Sequence, residues 1–159
     1  MEILQAEKED AVEILALQKL AFLSEARIYN DYTLPPLVQT LAELEEDFTR
    51  KTFLKAVSGG SIVGSVNGCM DSNICRIGRL VVHPALQGRG IGTRLMHSIE
   101  AVFSDAGFWE VFTGELSLGN MRLYKRLGYQ VRKKERFSDN RFAVVFLRKS
   151  GTVDITGPT

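Results

Sequence analysis

Cysteine is scarce in this chain. Only Cys69 and Cys75 occur among 159 residues, and their spacing is not that of a CxxC pair. So few thiols cannot staple a fold, and the two histidines, His83 and His97, complete no zinc-ligating pattern with them. No metal is expected. The thiols flank an expected hairpin turn and read as small, partly buried groups in a reducing compartment. The residues from Met1 to Lys8 show no basic segment followed by an apolar run, so no secretory leader is expected. No uncharged apolar stretch approaches the roughly 20 residues that cross a bilayer. The formal net charge is +1, too little to gather nucleic acid or an anionic membrane. A cytoplasmic chain without either partner is therefore expected. Internal repeats and low-complexity segments are also lacking.

What is present is an ordinary globular composition, 45% apolar and 25% charged, at the size of one domain. Residues 1–149 are expected to form that domain. The tail 150–159 lacks apolar periodicity and is expected to fray. Residues 2–6 suit a first strand. A helix is expected over 9–23, with either Ala11, Ile14, Leu17 and Ala21 or Val12, Leu15, Leu20 and Leu23 as its apolar stripe. Residues 24–36 end in Pro35-Pro36 and read as a loop or broken helix, because proline disfavours helix in the residue before it. A second helix carries Leu37, Leu41, Leu44 and Phe48 on one face. Gly59-Gly60 between the runs 52–58 and 61–68 signals a hairpin. Strands are expected over 74–82 and 109–115, a helix over 91–106 with Ile91, Leu95, Ile99 and Val102 as its apolar face, and a helix over 120–127. A final antiparallel pair covers 129–135 and 141–148. This order predicts an α+β fold, a mostly antiparallel mixed sheet of about six to seven strands with helices on both faces.

The chemistry concentrates in Gln87-Gly88-Arg89-Gly90-Ile91-Gly92. Glycines at alternate positions let the backbone curl and approach a ligand. Amide N–H groups then converge at a helix N-terminus, where unpaired donors and the helix dipole favour phosphate or pyrophosphate. A glycine-rich turn without a ligand is the plainer alternative. The Walker pattern GxxxxGK[ST] and the dinucleotide fingerprint GxGxxG are both absent. The pattern that fits is Q/R-x-x-G-x-G/A, met by Gln87, Gly90 and Gly92. With it, the chain resembles the GNAT superfamily of N-acetyltransferases. A second element supports the resemblance: Asn120, Tyr124, Gly128 and Tyr129 match the spacing of the helix that such proteins carry after their fifth strand. Asn120 and Tyr124 stand four apart and share a helix face; Asn120 also suits an N-cap, and Tyr124 a packing role.

The resemblance implies an acetyl-CoA-dependent N-acetyltransferase acting directly on a primary amine of a small molecule or peptide. It implies that Gln87, Gly88, Arg89, Gly90, Ile91, Gly92 and Thr93 hold the cofactor pyrophosphate. It implies further that a backbone N–H of Leu80, Val81 or Val82 serves the thioester carbonyl, where such enzymes splay two strands. Asn120 would bond the pantetheine arm, and Tyr124 would act as general acid toward the sulfur. Glu115 is the best-placed carboxylate for a general base, ahead of Glu110 and Glu25; strand four carries Arg76 and Arg79 but no acid. The acceptor is expected to meet residues 24–36, with Glu25, Tyr29 and Tyr32 as candidates, and the segment Phe137 to Arg141 alongside them. A non-catalytic acyl-CoA sensor of the same fold is the alternative function. Homodimers suit such folds, but the sequence shows no dimer determinant.

Overall fold

The structure is a computed structural model that describes residues 1–136 and 142–151. Among the described residues, seven strands form one sheet in the order β1-β2-β3-β4-β5-β7-β6. They are β1 (Glu2–Gln5), β2 (Thr52–Ser58), β3 (Ser61–Asp71), β4 (Ile74–Val82), β5 (Phe108–Gly114), β6 (Gln130–Glu135) and β7 (Val144–Ser150). The helices are α1 (Ala11–Tyr29), α2 (Pro35–Val38), α3 (Leu41–Asp47), α4 (Ile91–Val102) and α5 (Leu118–Arg126). β4 and β5 pair in parallel, whereas β1–β2, β2–β3, β5–β7 and β6–β7 are antiparallel. The mixed α+β architecture expected from the sequence is the one observed. The chain forms two compact units. One comprises Met1–Cys69 with Ile77–Ile99, and the other Met70–Arg76 with the chain from Glu100 onward.

In the first unit, the hairpin turns on Gly59 and Gly60, both at positive φ, as the glycine pair predicted. One face of the sheet is covered by α1 and α3. Ala11, Ile14, Leu17 and Ala21 of α1, with Leu44 of α3, bury against Phe53, Ile62 and Val81. Of the two stripes the periodicity allows, this is the inward one; Val12 and Leu20 are exposed. α4 covers the other face through Ile91, Leu95, Met96 and Ile99, all buried. Each fully buried side chain of this size contributes about 1.5–3 kcal/mol. The approach of α4 depends on Gly64 of β3. A Cβ there would lie 2.9 Å from Leu95 Cδ1, 3.2 Å from Ile91 Cγ2 and 3.1 Å from the Val81 carbonyl oxygen.

Of the two readings of residues 24–36, loop or broken helix, the broken helix is the one observed, and the bounds of three expected helices need correction. α1 runs on to Tyr29, with Ala26 buried, and stops where Asn30 turns left-handed. Pro35 and Pro36 open α2 at its first positions, where proline's missing N–H has no acceptor to lose. The second helix is two pieces, α2 and α3, because the chain extends again at Gln39. Thr40 then starts α3 with a reciprocal cap: its hydroxyl accepts from the Glu43 N–H at 3.2 Å, and the Glu43 carboxylate accepts from the Thr40 N–H at 2.8 Å. α4 ends at Val102 rather than at 106, and Val102 is exposed. A buried polar chain ties the three N-terminal helices. Gln18 Nε2 donates to the Pro36 carbonyl at 3.0 Å and to Gln39 Oε1 at 2.9 Å, and Gln39 Nε2 donates to Asp47 Oδ2 at 2.8 Å.

In the second unit, β7 lies between β5 and β6. The parallel pairing of β4 with β5 runs over Ile74, Cys75 and Arg76. Glu110, buried on β5, is neutralised by Arg76 at 2.6 Å and Arg148 at 2.7 Å. That pairing makes it a structural carboxylate, because a buried charge persists only when matched. The last strand begins at Val144, not 141; Arg141 lies outside the described residues, as does the tail from 152 onward.

Gly64→Val should therefore push α4 off β3. Overpacking of this kind costs about 1–3 kcal/mol, and a fall in Tm of roughly 3–10 °C is expected for a domain of this size. Calorimetry checks it. An unchanged Tm would mean that α4 does not depend on the missing side chain.

Candidate active site

β4 ends at Val82, and the chain must then reverse into α4. His83 anchors the reversal: its N–H donates to the Val63 carbonyl at 2.8 Å, and its Nδ1 accepts from the Ala85 N–H at 3.1 Å. A short 3-10 turn over Pro84–Leu86 follows. Gly88 and Gly90 then adopt φ of 78° and 82°. A Cβ at either position would meet nothing within 4 Å. The demand for glycine is thus conformational, since a side chain is strained in the left-handed region even where space is open. Gly92 differs. It is the second residue of α4, and only two of the three glycines make the curl.

The first bond of this helix runs from the Arg94 N–H to the Gly90 carbonyl at 3.0 Å. The N–H groups of Ile91, Gly92 and Thr93 come before it and have no acceptor within the helix. They stand at the positive end of a twelve-residue helix beside the exposed loop Gln87–Gly90. Such a cradle fits an anionic diphosphate. Gln87 behaves otherwise than its motif position suggests. Its Nε2 donates to the Val82 carbonyl at 3.4 Å, bracing the loop on the end of β4. Leu80, Val81 and Val82 belong to the same unit as the loop.

One residue before Leu80, Arg79 has φ of 52°, the left-handed region inside a strand. Burial pulls its guanidinium below the ordinary arginine value, with the nearby Asp47 charge opposing. The sequence gives no sign of this geometry, for the glycine that tolerates it most easily, Gly78, stands one place earlier.

In the second unit, Ser117, not Asn120, occupies the N-cap of α5. Asn120 instead sends its Nδ2 to Thr113 Oγ1 on β5 at 3.2 Å. Tyr124 is buried, and its ring lies 6.0 Å from that of Tyr129. Gly128, at φ 98°, ends the helix and returns the chain into β6. Tyr129 is locked by Glu100, whose Oε2 accepts from the phenol at 2.7 Å, and Lys149 closes on Glu100 at 3.0 Å. Burial, reinforced by this hydrogen bond and the Glu100 charge, pushes the Tyr129 hydroxyl far up and keeps it a donor. The sequence reading missed Glu100 and Lys149, which are distant in sequence and carry no motif.

Glu115 sits at the end of β5, and its Oε2 accepts from the Ala143 N–H at 2.6 Å. That bond, joined by the charges of Lys134 and Arg136, holds the carboxyl below its ordinary value. A carboxylate so engaged is a weak proton acceptor near neutral pH. Of the acceptor candidates, Glu25 and Tyr29 lie on α1 and Tyr32 is exposed after it. The cavity in that region is lined instead by Thr33 and Pro35 together with α3 and Arg79. The segment from Phe137 to Arg141 lies outside the described residues.

Comparison with known proteins places the chain in a family and a fold. The profile of the acetyltransferase (GNAT) family matches residues 14–129, and the chain belongs to that family. It is 30% identical over 120 residues to the UPF0157 protein YqkA of Bacillus subtilis, covering 76% of this chain and 34% of that protein. It is 29% identical over 102 residues to the uncharacterized N-acetyltransferase MJ1530 of Methanocaldococcus jannaschii, covering 61% of this chain and 65% of that protein. The chain thus spans about a third of one curated relative and just under two thirds of the other. Among solved structures, the PaiA N-acetyltransferase of Thermoplasma acidophilum in complex with coenzyme A superposes with a TM-score of 0.78 at 17% identity, over 94% of this chain and 98% of that one.

Glu115 generates a prediction. Its folded pKa is lowered, so the unfolded state binds the proton more readily. Its stabilisation is complete above the ordinary carboxylate value of about 4.3 and is lost as pH falls through the lower folded value. Glu115→Gln should flatten the acid limb of Tm against pH. An acid limb identical to that of the parent would show that the Ala143 contact carries no linkage.

Proposed function

We propose that this protein is an N-acetyltransferase that moves an acetyl group from acetyl-CoA directly to a primary amine of a small molecule or peptide. The observation that carries the reading is the set of N–H groups at Ile91, Gly92 and Thr93 that have no acceptor within the helix, behind left-handed Gly88 and Gly90. Acetyl-CoA supplies the activated thioester. The N–H groups of Gly88 to Thr93 hold its diphosphate, with Arg89 adding charge from the exposed loop. Gln87 acts through its bond to Val82, as a brace of the loop.

A backbone N–H among Leu80, Val81 and Val82 donates to the thioester carbonyl oxygen as it gains negative charge, a contribution that grows toward the transition state. Asn120, steadied by Thr113, offers its carboxamide to the amide-bearing arm of the cofactor. Tyr124 gives its phenolic proton to the departing sulfur. Tyr129 and Glu100 limit the freedom of the chain that follows it, since the Tyr129 N–H donates to the Tyr124 carbonyl at 3.0 Å. The neutral amine forms the C–N bond as the C–S bond breaks. The proton that its nitrogen sheds passes to solvent, from which Tyr124 regains its own. Alignment of the amine with the carbonyl supplies much of the rate, so no strong base is required. Glu115, held by Ala143, is assigned to the frame of β5 and β7 and not to proton abstraction.

The test is thiol release from acetyl-CoA across a panel of primary amines, for the parent protein and Tyr124→Phe. The parent should turn over at least one amine. Tyr124→Phe should lower kcat by about a hundredfold while leaving acetyl-CoA affinity within a few-fold. An unchanged kcat would remove Tyr124 as the acid. Binding without turnover of any amine would favour an acyl-CoA sensor.

A further inference from the structure

The first unit holds a cavity of about 500 Å³ between the α2–α3 segment and Arg79 of β4. Six charged residues line it: Glu43, Glu46, Asp47, Arg50, Lys51 and Arg79. Three of them are already engaged. Glu43 accepts from the Thr40 N–H and hydroxyl at 2.8 and 3.1 Å. Asp47 accepts from Gln39 on one oxygen and from Arg50 on the other, both at 2.8 Å. The side chains of Arg79, Lys51 and Glu46 make no hydrogen bond or ion pair among the described residues. Asp47 and Arg50 neutralise each other, whereas the uncharged Thr40 donors leave Glu43 an anion. The remaining charge is two cations, Arg79 and Lys51, against two anions, Glu43 and Glu46, a balance that suits a ligand carrying both signs.

The backbone around Arg79 bears the marks of a site. Its left-handed φ is strained for a side-chain-bearing residue, a condition that clusters where chains are held for binding. Next to it, Gly78 faces Asn67 of β3: a Cβ on Gly78 would lie 3.4 Å from Asn67 Oδ1. Asn67 is 2% exposed, and its Nδ2 has no hydrogen-bond partner among the described residues. A buried carboxamide N–H group without a partner, on the residue that faces Gly78, is costly unless something compensates it.

We propose that this cavity is the acceptor subsite, and that Arg79, aided by Lys51, holds a carboxylate of the acceptor. The substrate class is then small amines that carry a carboxylate, such as free amino acids or short peptides. This rests on the acetyltransferase reading above. A planar guanidinium grips a carboxylate through two parallel hydrogen bonds, which a point charge does not match. The acidic walls formed by Glu43, Glu46 and Asp47 oppose a doubly charged phosphate and tolerate an ammonium group on the same ligand. Arg79 immediately precedes Leu80 to Val82, so the anchor lies next in sequence to the proposed carbonyl donor.

The experiment presents each amine twice, as the carboxylate and as its carboxamide, to the parent, Arg79→Asn and Lys51→Gln. Asparagine tolerates the left-handed backbone, so Arg79→Asn keeps the strand. Acetyl-CoA affinity is measured alongside by calorimetry. For the parent, kcat/KM should favour carboxylates by about tenfold or more, the size of a charge-assisted pair. Arg79→Asn should abolish that preference with acetyl-CoA affinity unchanged, and Lys51→Gln should reduce it. Equal turnover of both forms, preference for carboxamides or polyamines, or a preference that survives Arg79→Asn would overturn the proposal. So would acetyl-CoA binding without turnover of any carboxylated amine. Absence of acetyl-CoA binding would instead remove the acetyltransferase reading beneath it.

Discussion

The site depends on one reversal of the chain, from the end of β4 into α4. Eight residues separate Val82 from Ile91, and within them the backbone turns left-handed twice, at Gly88 and Gly90. That geometry brings Ile91, Gly92 and Thr93 to the start of α4, ahead of its first hydrogen bond, with N–H groups that have no acceptor within the helix. The rest of the first unit serves the same end. Gly64 lets α4 lie close on β3, His83 ties the reversal to Val63, and Leu95 and Ile99 fix the helix axis by burial. Binding energy for an anionic cofactor is thus held in backbone groups that cost nothing to reorganise when the ligand arrives.

Polar networks take over where apolar packing is thin. The chain from Gln18 through Gln39 to Asp47 joins α1, α2 and α3, and so sets the wall of the cavity that faces Arg79. In the second unit, Glu110 between Arg76 and Arg148 and Glu100 between Tyr129 and Lys149 do comparable work. Neither carboxylate is free for chemistry, and neither is Glu115. The arrangement is one of positioned donors with no poised base, which suits a reaction in which alignment and carbonyl polarisation carry most of the barrier reduction.

Much of this was legible in the sequence, for local reasons. Gly59-Gly60 signals its hairpin because two left-handed residues in a row have few alternatives. Gly88 and Gly90 signal the loop on the same ground. The helix boundaries were harder. Pro35 constrains only Leu34, so α1 could continue to Tyr29, and Asn30 rather than a proline ends it. Asn120 matched a cap preference, but Ser117 holds that place because α5 starts two residues before Asn120. Gln87 matched a binding motif, yet its side chain braces β4. Arg79 was the least legible. Its backbone conformation arises from tertiary context, and its exposure to a cavity depends on α3, whose nearest residue, Asp47, lies 32 positions upstream.

The central claim is that backbone N–H groups, and not the glutamine side chain, hold the cofactor diphosphate. Calorimetric titration of acetyl-CoA into the parent, Gly90→Val and Gln87→Ala tests it most directly. The account predicts that Gly90→Val loses affinity by about a hundredfold or more, because the strained turn no longer presents its donors. Gln87→Ala should lose only about a few-fold, the worth of one exposed hydrogen bond. Equal losses in the two variants, or full affinity in Gly90→Val, would contradict it.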